Sequence, residues 1–215
     1  MRIKLDLHVH TLHSPDSRLS PEELARACAE NGLAGVAVTD HDRFRGALEF
    51  AEALPDLLII PGEEVRSREG EIIGLFLHEE IPPGLSAEET LQEIRRQGGL
   101  ACIPHPFDYV KLHRLTARRL LELREGIDCL EAVNAKPRWW GANRAAGDFA
   151  RRHSFPVTAG SDAHRAGEVG RAWVEMEEFS GPDEFLSNLR EASIHGRRYS
   201  PWRGQVERWR SRLRG

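Results

Sequence analysis

The chain has 215 residues, 40% of them hydrophobic, and a formal net charge of −4 at pH 7. This length favours one domain with a full core, and a single α/β barrel fits within it. The negative charge argues against a general nucleic-acid-binding protein. The charge is uneven, because residues 196–215 contain seven Arg and one Glu, about +6, which leaves about −10 for the rest.

The chain shows no charged-then-apolar leader and no long apolar run. We therefore expect a soluble, cytoplasmic protein with no membrane partner. Cys28, Cys102 and Cys129 lack C-x-x-C spacing, which predicts buried free thiols in a reducing compartment. The sequence makes no prediction about the oligomeric state.

Short apolar runs alternate with helical patterns along the chain. Residues 2–9 alternate as a strand does, and Ser20 then begins a helix that ends at Asn31 and Gly32. This β-then-α repetition predicts parallel strands with crossover helices, whose chemistry lies at the carboxyl ends of the strands. Further strands are predicted at 35–38, 57–60, 71–77, 100–103, 129–133 and 157–159, and further helices at 43–54, 86–97, 140–153 and 183–192.

Three clusters of ligand-type residues follow apolar runs: residues 6–10 (DLHVH), 39–42 (TDHD) and 161–164 (SDAH). His8 and His10 are two residues apart on a strand, so both side chains leave the same face. Asp6 shares that face and is predicted to orient one of the histidines. Imidazoles and carboxylates are the usual ligands of Zn, Mn and Fe. The pattern therefore favours a metal-dependent hydrolase.

Five patterns in this order, D-L-H-V-H-T-x-x-S-x-D-S, T-D-H-D, P-G-E-E, P-H-P and G-S-D-A-H, closely resemble the polymerase and histidinol phosphatase (PHP) superfamily. The resemblance covers residues 3 to about 175. It implies an α/β fold, a distorted (β/α)7 TIM-like barrel, with a cluster of up to three metals and phosphoesterase chemistry. Characterised members include histidinol-phosphate phosphatases, nucleotide phosphatases, an RNA exonuclease and proofreading domains of DNA polymerases.

The resemblance also implies a ligand set. We place the bridge between two metals on Glu63 rather than Glu64, because Glu63 directly follows Pro61 and Gly62. Many members carry a His where this chain has Glu71, which is either a ligand that favours Mn or Fe over Zn or a solvated residue at the start of a strand. The implied ligands are His8, His10, Glu63 and Asp162 for the first metal, Glu63, His105 and Glu71 for the second, and Asp16, His41 and His164 for the third.

The expected cofactors are two to three divalent ions of Mn, Fe or Zn. A pair of ions bridged by a carboxylate activates water, and the resulting metal-bridged hydroxide attacks phosphorus. We assign the catalytic roles to Glu63, Asp162 and His164. The expected substrate is a phosphorylated small molecule, such as a small nucleotide, or a short oligonucleotide.

Three residues are predicted to bind an anionic substrate: Arg18, Asn134 and Arg138. Three alternatives remain open for the function. One is an exonuclease on short RNA or DNA, and another is a metal-dependent hydrolase of C–N bonds. The third is a metal-binding domain without catalysis.

Two parts of the chain are distinguished by composition. Residues 1–195 are predicted to form the barrel domain, and residues 196–215 form an Arg-rich tail. Val206, Trp209 and Leu213 are spaced as one apolar stripe of a helix. We expect this helix to dock on the barrel, with RNA or membrane-surface contact as the alternative.

Overall fold

The structure is a computed structural model that describes residues 1–111, 113–136 and 141–196. The predicted substrate ligand Arg138 and the predicted tail helix lie outside the described residues. In the described part, Cys28, Cys102 and Cys129 are buried free thiols, as predicted. No helix among the described residues is long and apolar enough to span a membrane.

The predicted alternation of strands and helices is confirmed, with additional elements near the C-terminus. The strands are β1 Arg2–Val9, β2 Gly35–Val38, β3 Leu58–Arg66, β4 Glu71–Leu75, β5 Leu100–Ile103, β6 Cys129–Asn134, β7 Val157–Gly160, β8 Ala172–Glu177 and β9 Ser193–Gly196. The helices are α1 Pro21–Asn31, α2 Arg45–Ala53, α3 Ala87–Arg96, α4 Ala117–Glu122, α5 Ala142–His153 and α6 Pro182–Leu189.

The described strands form one sheet in the order β7-β6-β5-β4-β3-β2-β1-β8-β9. The chain segment after β7 returns to β1: Asp162 N–H donates to the carbonyl of His8 at 2.8 Å, and His10 N–H donates to the carbonyl of Ala163 at 2.9 Å. These bonds nearly close the sheet into a barrel. The predicted α/β barrel class is therefore confirmed, but the described sheet has nine strands rather than seven, because β8 and β9 extend it past β1 with antiparallel pairing.

The helices lie where local sequence signals place them. Ser20 and Glu23 form a capping box at the start of α1, and Gly32 ends the helix with a φ of 63°. Ser86 and Glu89 form a second capping box at α3. The buried apolar residues of both helices belong to one hydrophobic cluster with strand residues such as Val36 and Ile103.

One strand differs from prediction in a way that changes the site. β3 continues to Arg66 instead of ending at residue 60, because Gly62 to Arg66 pair with β4 in an antiparallel ladder. Glu63 and Glu64 therefore lie within a strand rather than in a loop. Alternation along that strand decides which of the two carboxylates faces the other ligand-type residues.

Candidate metal centre

Histidines and carboxylates from several strand ends converge in one largely buried cluster, here called the ligand cluster. Ligand-type atoms in each of four overlapping groups lie within 4.8 Å of one another. The groups are His8, His10 and Asp162; His8, Glu64 and His105; His41, Glu64 and Glu71; and His10, His41 and His164.

Glu64 lies at the centre of the ligand cluster. Its Oε2 is 2.9 Å from Nδ1 of His41, 3.4 Å from Nε2 of His10 and 3.5 Å from Nε2 of His8. Its Oε1 is 3.0 Å from Nε2 of His105. One carboxylate therefore reaches ring nitrogens delivered by three different strands, which is the geometry required of a bridging ligand.

The structure corrects the choice of Glu63 for that bridging position. Glu63 is fully buried, but its Oε2 accepts the N–H of Ile81 at 2.9 Å. It belongs to none of the ligand groups among the described residues. Its neighbour Glu64 takes the predicted place, because successive side chains of β3 point to opposite faces of the sheet. The same correction removes Glu63 from the candidate catalytic residues.

His8 and His10 leave β1 on one face, as predicted from their spacing. Their Nε2 atoms are 3.0 Å apart. The Oδ1 atom of Asp162 is 3.4 Å from Nε2 of His10 and 3.9 Å from Nε2 of His8. Three ligand-type atoms thus face one point between β1 and the segment that follows β7.

The predicted third group is also assembled. Asp16 Oδ2 is 3.0 Å from Nε2 of His164 and 3.7 Å from Nε2 of His41. The ring of His164 lies 4.3 Å from that of His10, centroid to centroid. The side chain of Asp16 is 53% exposed, so this part of the ligand cluster opens to solvent.

Glu71 faces the ligand cluster. It is 6% exposed, and its Oε2 lies 3.7 Å from Nε2 of His105. The alternative of a solvated residue at the start of β4 is therefore wrong. Burial and the neighbouring Glu64 raise the pKa of the Glu71 carboxyl. Ligation by Glu71 stays a prediction.

Two residues of the ligand cluster have left-handed backbone conformations that are uncommon without glycine. The φ angle is 31° at His105 and 54° at Asp162. Each is held by a backbone hydrogen bond, His105 N–H to Glu131 Oε2 at 2.7 Å and Asp162 N–H to the carbonyl of His8 at 2.8 Å. Such strain persists where surrounding contacts fix it, and it is typical of functional sites.

Protonation states within the ligand cluster are mixed. Burial opposes protonation of His8 and His41, but the surrounding carboxylates raise the pKa of both imidazoles, so a cation would have to displace those protons. Burial opposes ionisation of Asp162, but Lys111 and His8 hold the pKa of its carboxyl well below the usual range. Burial likewise opposes ionisation of Glu64, yet His8 and the other histidine rings around it lower its pKa. Burial also keeps the pKa of His10 well below its usual value. Glu64, Asp162 and His10 are therefore held in the forms that bind metals, an ionised carboxylate or a neutral imidazole.

Several buried atoms of the ligand cluster still lack a partner. Oε2 of Glu64 and Oε2 of Glu71 have no hydrogen bond of acceptable angle from any described donor. Buried acceptors without donors are costly, and a cation would satisfy them. A set of imidazole nitrogens and carboxylate oxygens suits Mn, Fe or Zn. The residues present therefore fit the metal ions that the sequence predicts.

Comparisons with known proteins agree with this geometry. Residues 140–194 match the PHP-associated family. The uncharacterized protein MJ0417 of Methanocaldococcus jannaschii is 36% identical over an alignment of 198 positions, which covers 87% of this chain and 79% of that protein. A solved two-domain protein of Bacteroides vulgatus, which contains a predicted PHP-like metal-dependent phosphoesterase, superposes with a TM-score of 0.72 at 19% identity, over 92% of this chain. The chain belongs to the PHP superfamily.

Other solved structures extend the likeness in fold. PsfC of Pseudomonas syringae has a TM-score of 0.74 at 18% identity, with 99% of each chain covered. The Bacteroides vulgatus protein is longer, and this chain spans 65% of its length. At these identities the solved structures support the PHP barrel and leave the substrate open.

Two of the three residues predicted to bind substrate, Arg18 and Asn134, lie among the described residues. Arg18 is exposed and has no hydrogen bond or ion pair to a described residue. Asn134 is 2% exposed, and its Nδ2 donates to Glu131 Oε2 at 2.9 Å, while its Oδ1 accepts Lys136 N–H at 2.7 Å. Its amide therefore holds two neighbouring groups in place, and its contact with a substrate stays a prediction.

Sequence reasoning missed the carboxylate that orients His8. Glu131 Oε1 accepts from Nδ1 of His8 at 3.0 Å, whereas Asp6 accepts backbone N–H groups of Ser161 and Gly170, each at 2.8 Å. The role predicted for Asp6 therefore belongs to Glu131. Glu131 lies two residues from the buried Cys129 on β6, so its side chain is expected on the same face. Its contact with His8 could not be predicted without knowing how β6 lies relative to β1.

Proposed function

We propose that this PHP protein is a metal-dependent phosphoesterase that hydrolyses phosphate esters of small nucleotides or related metabolites. The observation that carries the proposal is the shared position of Glu64 in two neighbouring ligand groups. A carboxylate common to two groups is what two-metal hydrolysis requires, since both ions must lie within one reaction site. Two to three ions of Mn, Fe or Zn match the four overlapping groups and their N and O atoms.

Each part of the ligand cluster has a proposed task. Divalent ions, when bound, lower the pKa of water so that hydroxide can attack phosphorus at neutral pH. His8, His10 and Asp162 would hold the first ion, and Glu64 would join it to a second ion held with His105. Glu131 fixes the ring orientation of His8 through its hydrogen bond to Nδ1.

The third group faces solvent and would receive the substrate. His41, His164 and Asp16 lie at the exposed side of the ligand cluster. A cation held there would neutralise phosphate oxygens. If His41 and His164 both bind that cation, neither can protonate the leaving oxygen. We therefore assign no general acid.

The charge of the chain and one aromatic residue bear on the substrate class. The chain outside residues 196–215 carries about −10, which disfavours long polyanions. Tyr109 is 58% exposed in the loop that follows β5, four residues after His105. The guanidinium of Arg114 lies 4.4 Å from the centroid of that ring, so a nucleobase that stacks on Tyr109 would share or displace this contact.

An assay panel tests this proposal. Protein loaded separately with Mn²⁺, Fe²⁺ or Zn²⁺ is given nucleotides, nucleoside bisphosphates, histidinol phosphate and 5′-labelled oligonucleotides. We expect metal-dependent release of phosphate from at least one small substrate and loss of that activity in Glu64→Gln. Stepwise shortening of oligonucleotides without release from small esters would favour the exonuclease alternative. Metal-loaded protein that cleaves no phosphate ester would contradict the proposal.

A further inference from the structure

Lysine is scarce in this chain, and its placement is selective. The sequence contains three lysines, Lys4, Lys111 and Lys136, beside 27 arginines. Lys4 lies in the first half of β1, and its ammonium is 5.9 Å from the ring centroid of Trp173. The other two belong to separate loops, after β5 and after β6, and both reach the ligand cluster.

Lys111 contacts two residues of the ligand cluster directly. Its Nζ is 3.0 Å from Oδ2 of Asp162 and 2.9 Å from Nε2 of His105. The side chain remains 29% exposed, whereas that of Asp162 is 2% exposed. The ammonium therefore lies between the buried ligand-type atoms and solvent.

Lys136 approaches the same carboxylate from another loop. Its Nζ is 2.6 Å from Nδ1 of His164 and 3.8 Å from Oδ1 of Asp162. Oε2 of Glu168 also lies 3.7 Å from this Nζ. The two ammonium groups thus flank Asp162, one near each of its oxygen atoms.

These contacts compete with metal binding. A neutral imidazole nitrogen has one lone pair, so Nε2 of His105 cannot accept a hydrogen bond from Lys111 and bind an ion at once. An ion on Asp162 would also repel both ammonium groups. Both lysine side chains are partly exposed. When an ion is bound, each ammonium can therefore turn toward the solvent, from which a substrate enters.

We propose that Lys111 and Lys136 are the phosphate-binding residues of this site, donating to non-bridging oxygens from two sides of Asp162. The inference rests on the proposed phosphoesterase function. Lysine suits this position because its ammonium is a compact charge with three donors on a flexible stem, and it binds phosphate as a point charge. Asn134 supports one of the two, since its Oδ1 holds the backbone N–H of Lys136.

Binding of inorganic phosphate to the metal-loaded protein tests the assignment without turnover. Isothermal titration would compare wild type with Lys111→Gln, Lys136→Gln and the double variant, with Lys4→Gln as the matched control. We expect Lys111→Gln and Lys136→Gln each to weaken phosphate binding about tenfold or more. Lys4→Gln should stay within about twofold of wild type. Metal content, measured by elemental analysis, should be equal in all of them.

Charge-preserving variants separate a direct contact from a structural role. Lys111→Arg and Lys136→Arg should bind phosphate more tightly than the Gln variants and melt at the wild-type temperature. Unchanged phosphate affinity in the double Gln variant would overturn the inference. So would a drop in metal content that accounts for the loss, because the lysines would then act on the metal site.

The outcomes also distinguish this inference from the proposed function. Lysine-dependent phosphate binding without hydrolysis of any ester would refute the proposed function and leave the lysine contacts standing. Metal-dependent ester hydrolysis with wild-type KM and phosphate affinity in the double variant would refute the lysine assignment alone. Wild-type protein that binds no phosphate at millimolar concentration would also overturn the assignment.

Discussion

Glu63 and Glu64 are adjacent on β3, and their carboxylates serve opposite faces of the sheet. Glu64 Oε2 lies 2.9 Å from Nδ1 of His41, within the ligand cluster. Glu63 Oε2 accepts the N–H of Ile81 at 2.9 Å, in the segment between β4 and α3. One carboxylate is therefore positioned for metal binding, and the other ties a connecting segment to the sheet.

This arrangement predicts that Glu64→Gln and Glu63→Gln differ in their effects on metal binding and turnover. Glu64→Gln should lose bound metal and reduce turnover on the order of 10²-fold or more, because a bridging ligand loses its charge. Glu63→Gln should retain metal, because Gln can still accept the N–H of Ile81. Elemental analysis and phosphate-release assays at matched protein concentration measure both. Metal loss in Glu63→Gln with normal loading of Glu64→Gln would reverse the assignment.

Glu63 also predicts how stability changes with pH. Burial raises the pKa of its carboxyl to about 8, whereas the unfolded chain ionises it near its ordinary value of about 4.3. Between these values the folded state holds more protons than the unfolded state, so this residue lowers the free energy of unfolding as pH rises. Glu63→Gln should remove this decrease in the free energy of unfolding, which is on the order of a few kcal/mol above about pH 8. Urea unfolding at several pH values measures it, and parallel curves for variant and wild type would contradict it.

Most strands and the ligand types could be predicted from the sequence, since both depend on local patterns. The spacing of His8 and His10 and the motif around Asp162 pointed to one shared site, and the structure brings these three residues together. The choice between Glu63 and Glu64 could not be made the same way. It depends on whether β3 ends at residue 60 or continues, and that is decided by pairing with β4.

The residues missed by sequence reasoning act through contacts distant in the chain. Glu131 reaches His8 across 123 positions, and Lys111 reaches Asp162 across 51. A Lys in a loop carries no periodic signal. β8 and β9 were missed for a related reason: each is completed by antiparallel pairing at the end of the sheet, with β1 supplying the edge on which β8 forms.

Gly160 at the end of β7 allows β1 to approach closely. A Cβ there would lie 2.2 Å from Cβ of His8 and 2.7 Å from Oε1 of Glu131. We expect Gly160→Ala to displace His8 and weaken metal binding. Gly147→Ala in α5 is the control, since nothing lies within 4 Å of its added Cβ and helical Gly→Ala stabilises by about 0.5–1 kcal/mol. Metal titration and thermal melts of both variants check this, and wild-type metal affinity in Gly160→Ala would disprove it.

The group of His41, His164 and Asp16, in which only Asp16 is exposed, is expected to load separately from the fully buried groups. His164→Ala should reduce the metal stoichiometry by one and lower turnover, while His8, His10 and Asp162 keep their ion. The reason is that His164 shares a ligand group with His10 and His41 but not with His8. Crystals of the variant with anomalous scattering would count the ions. Retention of the full wild-type complement would contradict the prediction.

Glu131 should tune metal affinity although it belongs to none of the ligand groups among the described residues. Its Oε1 accepts from Nδ1 of His8 at 3.0 Å, and its Oε2 accepts the N–H of His105 at 2.7 Å. Glu131→Gln keeps the shape but removes the charge that fixes the His8 tautomer, so metal affinity should fall about 10–100-fold. Glu175→Gln on β8 is the control of the same type. Competition with a chelator measures the affinities, and melting curves in excess metal verify that both variants fold. Equal affinities for wild type and Glu131→Gln would contradict the prediction that the charge beside His8 tunes metal affinity.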